Sequence, residues 1–104
     1  MARAMYDKLI DAETWAFIRK TADYYPADTV DASADRQREI YDAMCRMFFK
    51  GYPSGVTAHD GTHGGVPTRH YRQGGSDITI VFFHGGGFVV GGLDSHDDVC
   101  AELC

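Results

Sequence analysis

The chain lacks any apolar run approaching the ~20 residues needed to cross a bilayer. Its first eleven residues carry acids at Asp7 and Asp11 and no apolar stretch, which argues against a secretory leader. A soluble, cytoplasmic protein with no membrane partner is expected. Basic charge is also scarce: ten Lys and Arg face fifteen Asp and Glu and form no cluster, which excludes the positive face that a nucleic-acid backbone requires. Cysteine is sparse and odd in number. Cys45, Cys100 and Cys104 make a poor disulfide framework and read as reduced thiols. There is no internal repeat and no low-complexity segment. His59, Asp60, His63 and His70 match no standard zinc spacing, so they read as surface histidines of a hairpin, with no metal implied.

What remains is an ordinary globular composition, 44% hydrophobic, 12% aromatic and 24% charged, in 104 residues. The acidity is uneven. Residues 1–50 hold 8 basic and 9 acidic side chains, whereas residues 51–104 hold 2 and 6.

The first half is helical in pattern. Residues Met5 to Tyr24 carry two adjoining apolar stripes, Met5, Leu9, Ala12, Ala16 and Trp15, Ile18, Ala22, Tyr25, and so predict a helix covered on two sides. Pro26 and the small polar residues after it end that helix. A second helix is predicted from an N-cap at Ser33, with the stripe Ile40, Met44, Met47, Phe48 and a stop at Lys50 and Gly51. Beyond residues 51–55 the punctuation becomes glycine-rich and the runs short. Strands are predicted at Val56–Asp60, Val66–Arg72 and Ile78–Phe83, the first two forming a hairpin across Gly61–Gly65. The third, ITIVFF, is almost continuous in β-branched and aromatic residues, as a strand buried on both faces would be.

That strand is followed by His84, Gly85, Gly86, Gly87 and Phe88, then by Val89, Val90, Gly91, Gly92 and Leu93 before a new helix start. Consecutive glycines there let the backbone adopt positive φ and aim several N–H groups at one point in a cleft. Such donors stabilise the oxyanion formed when an ester carbonyl is attacked. A phosphate cradle fits less well. Starting the pattern G-x-G-x-x-G at Gly85 puts its third position on Val90, and the helix begins only after Asp94.

The stretch VFFHGGGFVVGGLDSHDD resembles the HGGG signature of the hormone-sensitive-lipase family of α/β-hydrolases, which includes many bacterial short-chain esterases. Phe88, Gly91 and Asp94-Ser95-His96 extend the match. The resemblance implies an α/β protein of which this chain is the amino-terminal part: two cap helices, a hairpin, a buried central strand and the start of the first sheet-packing helix. Residues 1–51 would be the cap segment, and residues 52–104 the first strands and oxyanion loop. Carried over by residue, the backbone N–H groups of Gly86 and Gly87 would be the oxyanion donors, Gly85 would make the turn, His84 would brace the loop and Phe88 would line the substrate pocket. Trp15 and Phe17 would lie in the cap, against the substrate. Ser95, with Asp98 three residues on, reads as a capping box and not as a nucleophile.

The activity implied is carboxylic ester hydrolysis on short or medium acyl chains, without a cofactor. No G-x-S-x-G occurs, so either the sequence is truncated or, as is favoured, nucleophile, acid and base come from a companion polypeptide carrying the rest of the hydrolase domain; catalysis is expected only in the completed enzyme, itself open to homo-oligomerisation. The alternative is a non-catalytic ligand binder, as in the plant gibberellin receptors, which are similar to this family.

Overall fold

Asp11 caps the helix Ala12–Ala22 in the computed structural model, which describes residues 6–104. Its Oδ1 accepts the Thr14 N–H at 2.7 Å, so α1 (Ala12–Ala22) begins with a capped turn carrying Glu13, and closes with Arg19 and Lys20 in its last turn. The predicted start at Met5 lies outside the described residues. Between Tyr6 and Asp11 the chain makes a turn, with Leu9 and Ile10 donating to the Tyr6 carbonyl. The helix is therefore shorter than its periodicity suggests, because a good N-cap interrupts the pattern. No residue of α1 is fully buried, so the two-sided cover expected of it is not realised among the described residues.

A 3₁₀ turn, Thr29–Asp31, leads to α2 (Ala34–Arg46). Ser33 caps α2 as predicted, its hydroxyl accepting from the Arg36 N–H at 3.2 Å. Ile40 is buried, while Met44, Met47 and Phe48 on the same stripe are half-buried. The helix stops at Arg46, ahead of the predicted Lys50. Met47, Phe48 and Phe49 donate to carbonyls only three residues back, a tightened final turn, before Gly51 at φ +92° redirects the chain.

Strands β1 (Thr57–His63) and β2 (Val66–Arg72) pair antiparallel from Thr57 opposite Arg72 to His63 opposite Val66. The turn is Gly64-Gly65 alone, at φ +57° and +80°, the two-residue hairpin whose twist suits a right-handed ribbon. Pairing thus runs three residues past the predicted Asp60, and Gly61 sits inside β1 opposite Thr68.

The third predicted strand does not form. The sheet has two strands among the described residues, and Ile78–Phe83 joins no ladder. Its side chains face solvent, with Ile78 at 81% and Phe83 at 87% exposure. The expectation of a buried central strand is corrected for a plain reason. A strand needs partners for its N–H and C=O groups, and the other strands among the described residues pair with each other.

Helix α3 (Asp97–Leu103) follows, and here too the sequence reading is corrected. Ser95 is buried but does not cap α3. Its hydroxyl accepts from the Gly92 N–H at 2.8 Å and donates to the Gly92 carbonyl at 3.2 Å, closing the loop before the helix. Asp98 accepts from the neighbouring Val99 N–H instead of reaching back to Ser95. Among the described residues the buried apolar side chains are Ile40, Val56 and Ala101, a thin core. The radius of gyration, 17.0 Å, exceeds the ~13 Å of a closed domain of this length, in keeping with secondary structure that has more apolar surface than partners. No described helix is long and apolar enough to cross a membrane.

Candidate functional site

The run His84–Gly91 folds into a loop whose shape only glycine permits at two points. Gly86 has φ +137°, and a Cβ there would lie 1.8 Å from the Val90 carbonyl oxygen. Gly91 has φ +94°, and its Cβ would meet the Gly85 carbonyl oxygen at 2.5 Å. Phe88, at φ +62°, is the single non-glycine residue with positive φ among the described residues, and its side chain is fully exposed. An L-residue held there stores about 1 kcal/mol of backbone strain.

Two carbonyls of this loop are tied down from within. His84 Nδ1 lies 2.9 Å from the Gly85 carbonyl oxygen, which can only accept, so Nδ1 carries the proton. The Gly86 carbonyl accepts from both Val89 and Val90 N–H at 3.1 Å. Because every peptide bond here is trans, each carbonyl points opposite to the N–H of the next residue. Fixing the Gly85 carbonyl on the His84 side turns the Gly86 N–H away from that ring. Fixing the Gly86 carbonyl inside the turn directs the Gly87 N–H out of it. Neither N–H has a hydrogen-bond partner among the described residues. An open hollow of about 470 Å³ is lined by Arg38 and by His84–Gly91.

Other elements hold the loop in place. Arg38 of α2 donates through Nε to the Val89 carbonyl at 2.7 Å and pairs through Nη1 with Asp35 at 3.0 Å. His96 packs its ring against His84, Phe82 and Tyr41, at centroid distances of 5.3, 6.0 and 6.4 Å. With His96 Nδ1–H donating to Ser95 Oγ at 2.9 Å and Ser95 donating to Gly92, all of these polar atoms are satisfied. The chain after the loop is gripped by Arg69 of β2. Its guanidinium meets Asp60 at 2.6 and 3.1 Å, Asp94 at 3.0 Å, Asp97 at 3.1 Å and the Leu93 carbonyl at 3.2 Å. Tyr52 and Tyr71 both donate to the Asp97 carboxylate.

This network biases the ionisation of its members. The hydrogen bond from Arg69 holds Asp60 below the usual carboxylate range. Arg69 itself is pushed up, first by its bonds to Asp60. Burial, followed by the bond to Asp97, pushes the Tyr71 and Tyr52 hydroxyls up.

Of the residues singled out in the sequence, His84, Gly85, Gly86, Gly87 and Phe88 come together at the hollow. Trp15 and Phe17 do not line it. Trp15 is half-buried on α1, and Phe17 lies on Phe48 with ring centroids 5.5 Å apart. His59 and His70 face each other across the hairpin, and His63 stacks on His70 at 4.9 Å; no group of three or more metal-binding side chains occurs among the described residues. The sequence reading missed Arg38 and Arg69. Arg69 had a usable signal: it is one of two basic residues in a half of the chain that holds six acids, and a counter-ion for several of them was to be expected.

The alpha/beta hydrolase fold family matches residues 80–104, the stretch that contains the loop. The carboxylic ester hydrolase LipN of Mycobacterium tuberculosis is 48% identical over 83 residues, covering 74% of this chain and 21% of the relative. Acetyl esterases of Salmonella typhi and Salmonella paratyphi A are 36% identical over 82 residues, covering 75% of this chain and 25% of each relative. The chain therefore spans about a fifth to a quarter of the length of the curated relatives it matches. These similarities bear out the resemblance to the hormone-sensitive-lipase family of α/β-hydrolases.

Proposed function

We propose that this chain supplies the oxyanion hole and part of the cap of a carboxylic ester hydrolase. One observation carries the reading: the Gly86 and Gly87 N–H groups, their peptide carbonyls anchored inside the loop, have no partner among the described residues and stand beside an open hollow. Donors fixed in advance cost no reorganisation when charge appears on a carbonyl oxygen, and each contributes ~3 to 4 kcal/mol to lowering the barrier.

In this reading a serine attacks the ester carbonyl and the tetrahedral oxyanion is held by Gly86 and Gly87. The alcohol then leaves, and water releases the acid from the acyl-enzyme. Gly85 makes the turn, His84 braces it and Phe88 forms a wall of the substrate pocket. Residues 1–51 are the cap, carrying Trp15 and Phe17, and residues 52–104 begin the hydrolase domain. Nucleophile, acid and base belong to a companion segment. The exposed Ile78–Phe83 run supports that assignment, since it has a strand's composition and pairs with no strand among the described residues. The names of the relatives, carboxylic ester hydrolase and acetyl esterase, support a short acyl chain.

The test is a serine-directed fluorophosphonate probe on the protein purified with whatever accompanies it, together with short-chain nitrophenyl esters. Labelling of a polypeptide bearing G-x-S-x-G, and acetyl ester turnover, are expected. A preparation that is neither labelled nor active rejects the proposal.

A further inference from the structure

We infer that Arg38 is a positioning residue that orients and polarises the Gly87 N–H through two intervening peptide groups. The inference rests on the hydrolase reading for the use made of that N–H. The path is a continuous chain of hydrogen bonds. Arg38 Nε–H donates to the Val89 carbonyl at 2.7 Å. Across the same trans peptide, the Val90 N–H points the opposite way and donates to the Gly86 carbonyl at 3.1 Å. Across that peptide in turn, the Gly87 N–H points outward, free of any partner among the described residues.

Amide groups linked head to tail polarise one another, and a cation at the head reinforces every donor downstream. The guanidinium draws electron density from the Val89 carbonyl, which makes Val90 N–H a stronger donor. That bond loads the Gly86 carbonyl, which leaves Gly87 N–H more positive at the place where an oxyanion would sit. Arg38 comes from α2, so a helix of the cap segment governs a donor of the glycine loop without touching the reacting atoms. Asp35, paired with Arg38 at 3.0 Å, offsets part of the cation and sets the strength of the effect.

The experiment follows the amide resonances of the isotope-labelled chain in two variants. In Arg38→Gln the Gly87 amide proton moves upfield, and Val90 amide exchange accelerates on the order of tenfold as its charge-assisted support is lost. In Asp35→Asn, where the Nε bond remains and the counter-charge is gone, the Gly87 proton moves downfield. The hairpin amides of Thr57–His63 report that the fold is kept in each. A purely structural role for Arg38 predicts no reversal of sign. Opposite shifts in the two variants support the inference, and any other pattern at Gly87 overturns it. The readout needs neither ester nor nucleophile. A failed esterase assay therefore sinks the hydrolase reading alone, whereas a Gly87 resonance indifferent to Arg38 sinks the inference even in an active esterase.

Discussion

The Arg69 guanidinium stands 3.1 Å from the Asp97 carboxylate, linking β2 to the first turn of α3. Both side chains are largely withdrawn from water, at 13% and 15% exposure, so the pair is screened far less than the helix-surface pairs of α2. Removing the cation leaves Asp97 with the two tyrosine hydroxyls and no counter-charge. Arg69→Met is expected to cost about 3 kcal/mol of stability, and Arg69→Lys, which keeps charge but loses the fork, roughly half as much. Urea unfolding followed by circular dichroism measures both.

The same network sets the pH range of the fold. Asp60 is held below its ordinary value of 3.8 by Arg69, so its contribution is complete above that value and fades as pH falls through the lower, folded one. Tyr71 is raised above 10.0, mainly by burial, so the folded state retains a proton that the unfolded chain gives up. Stability should therefore decline as pH rises beyond 10.0. Thermal melts across the acid and alkaline limbs, repeated on Tyr71→Phe, check this; a variant that keeps the full alkaline decline would contradict it.

Gly86→Ala and Gly87→Ala should differ in kind. A methyl group at Gly86 would sit 1.8 Å from the Val90 oxygen, so the loop must rearrange and the donors with it. At Gly87 there is open space around the Cβ position, and the cost is the strain of φ +61° alone, about 1 kcal/mol. On the proposed oxyanion reading, Gly86→Ala is expected to lower kcat for ester hydrolysis by roughly 10²- to 10³-fold, and Gly87→Ala by less. Single-turnover hydrolysis of an acetyl ester separates the two.

Phe88 offers a test of strain held for function. Its side chain is fully exposed and its φ is +62°, so Phe88→Gly removes strain without removing packing. The melting temperature should stay level or rise, by the equivalent of up to about 1 kcal/mol, while on the proposed esterase reading KM for the ester increases. A lower melting temperature would show that the ring packs against the protein.

What could be read in advance, and what could not, follows from the range of the forces involved. Ser33, the Ile40 stripe and the strand Val66–Arg72 are fixed by neighbours within a few residues, and the sequence displays them. The glycine loop was legible for the same reason, since its conformation is dictated locally by the absence of Cβ atoms at Gly86 and Gly91. Arg38 on Val89 and Arg69 on Asp94 and Asp97 join residues 25 to 51 positions apart, and no local periodicity announces such pairs. Ile78–Phe83 shows the limit from the other side. Its composition suggests an interior strand and the structure forms none, because composition specifies only a preference, and partners must be present to satisfy it.

That same run, ITIVFF, has neither a charge nor a proline, and among the described residues its main-chain donors and acceptors beyond the Ile78 N–H, which donates to the Ser76 hydroxyl, are unclaimed. Six residues of this kind invite stacking of identical copies into fibrils, so concentrated solutions of the chain should bind amyloid dyes. Keeping the chain in solution then becomes a contest between folding and polymerisation.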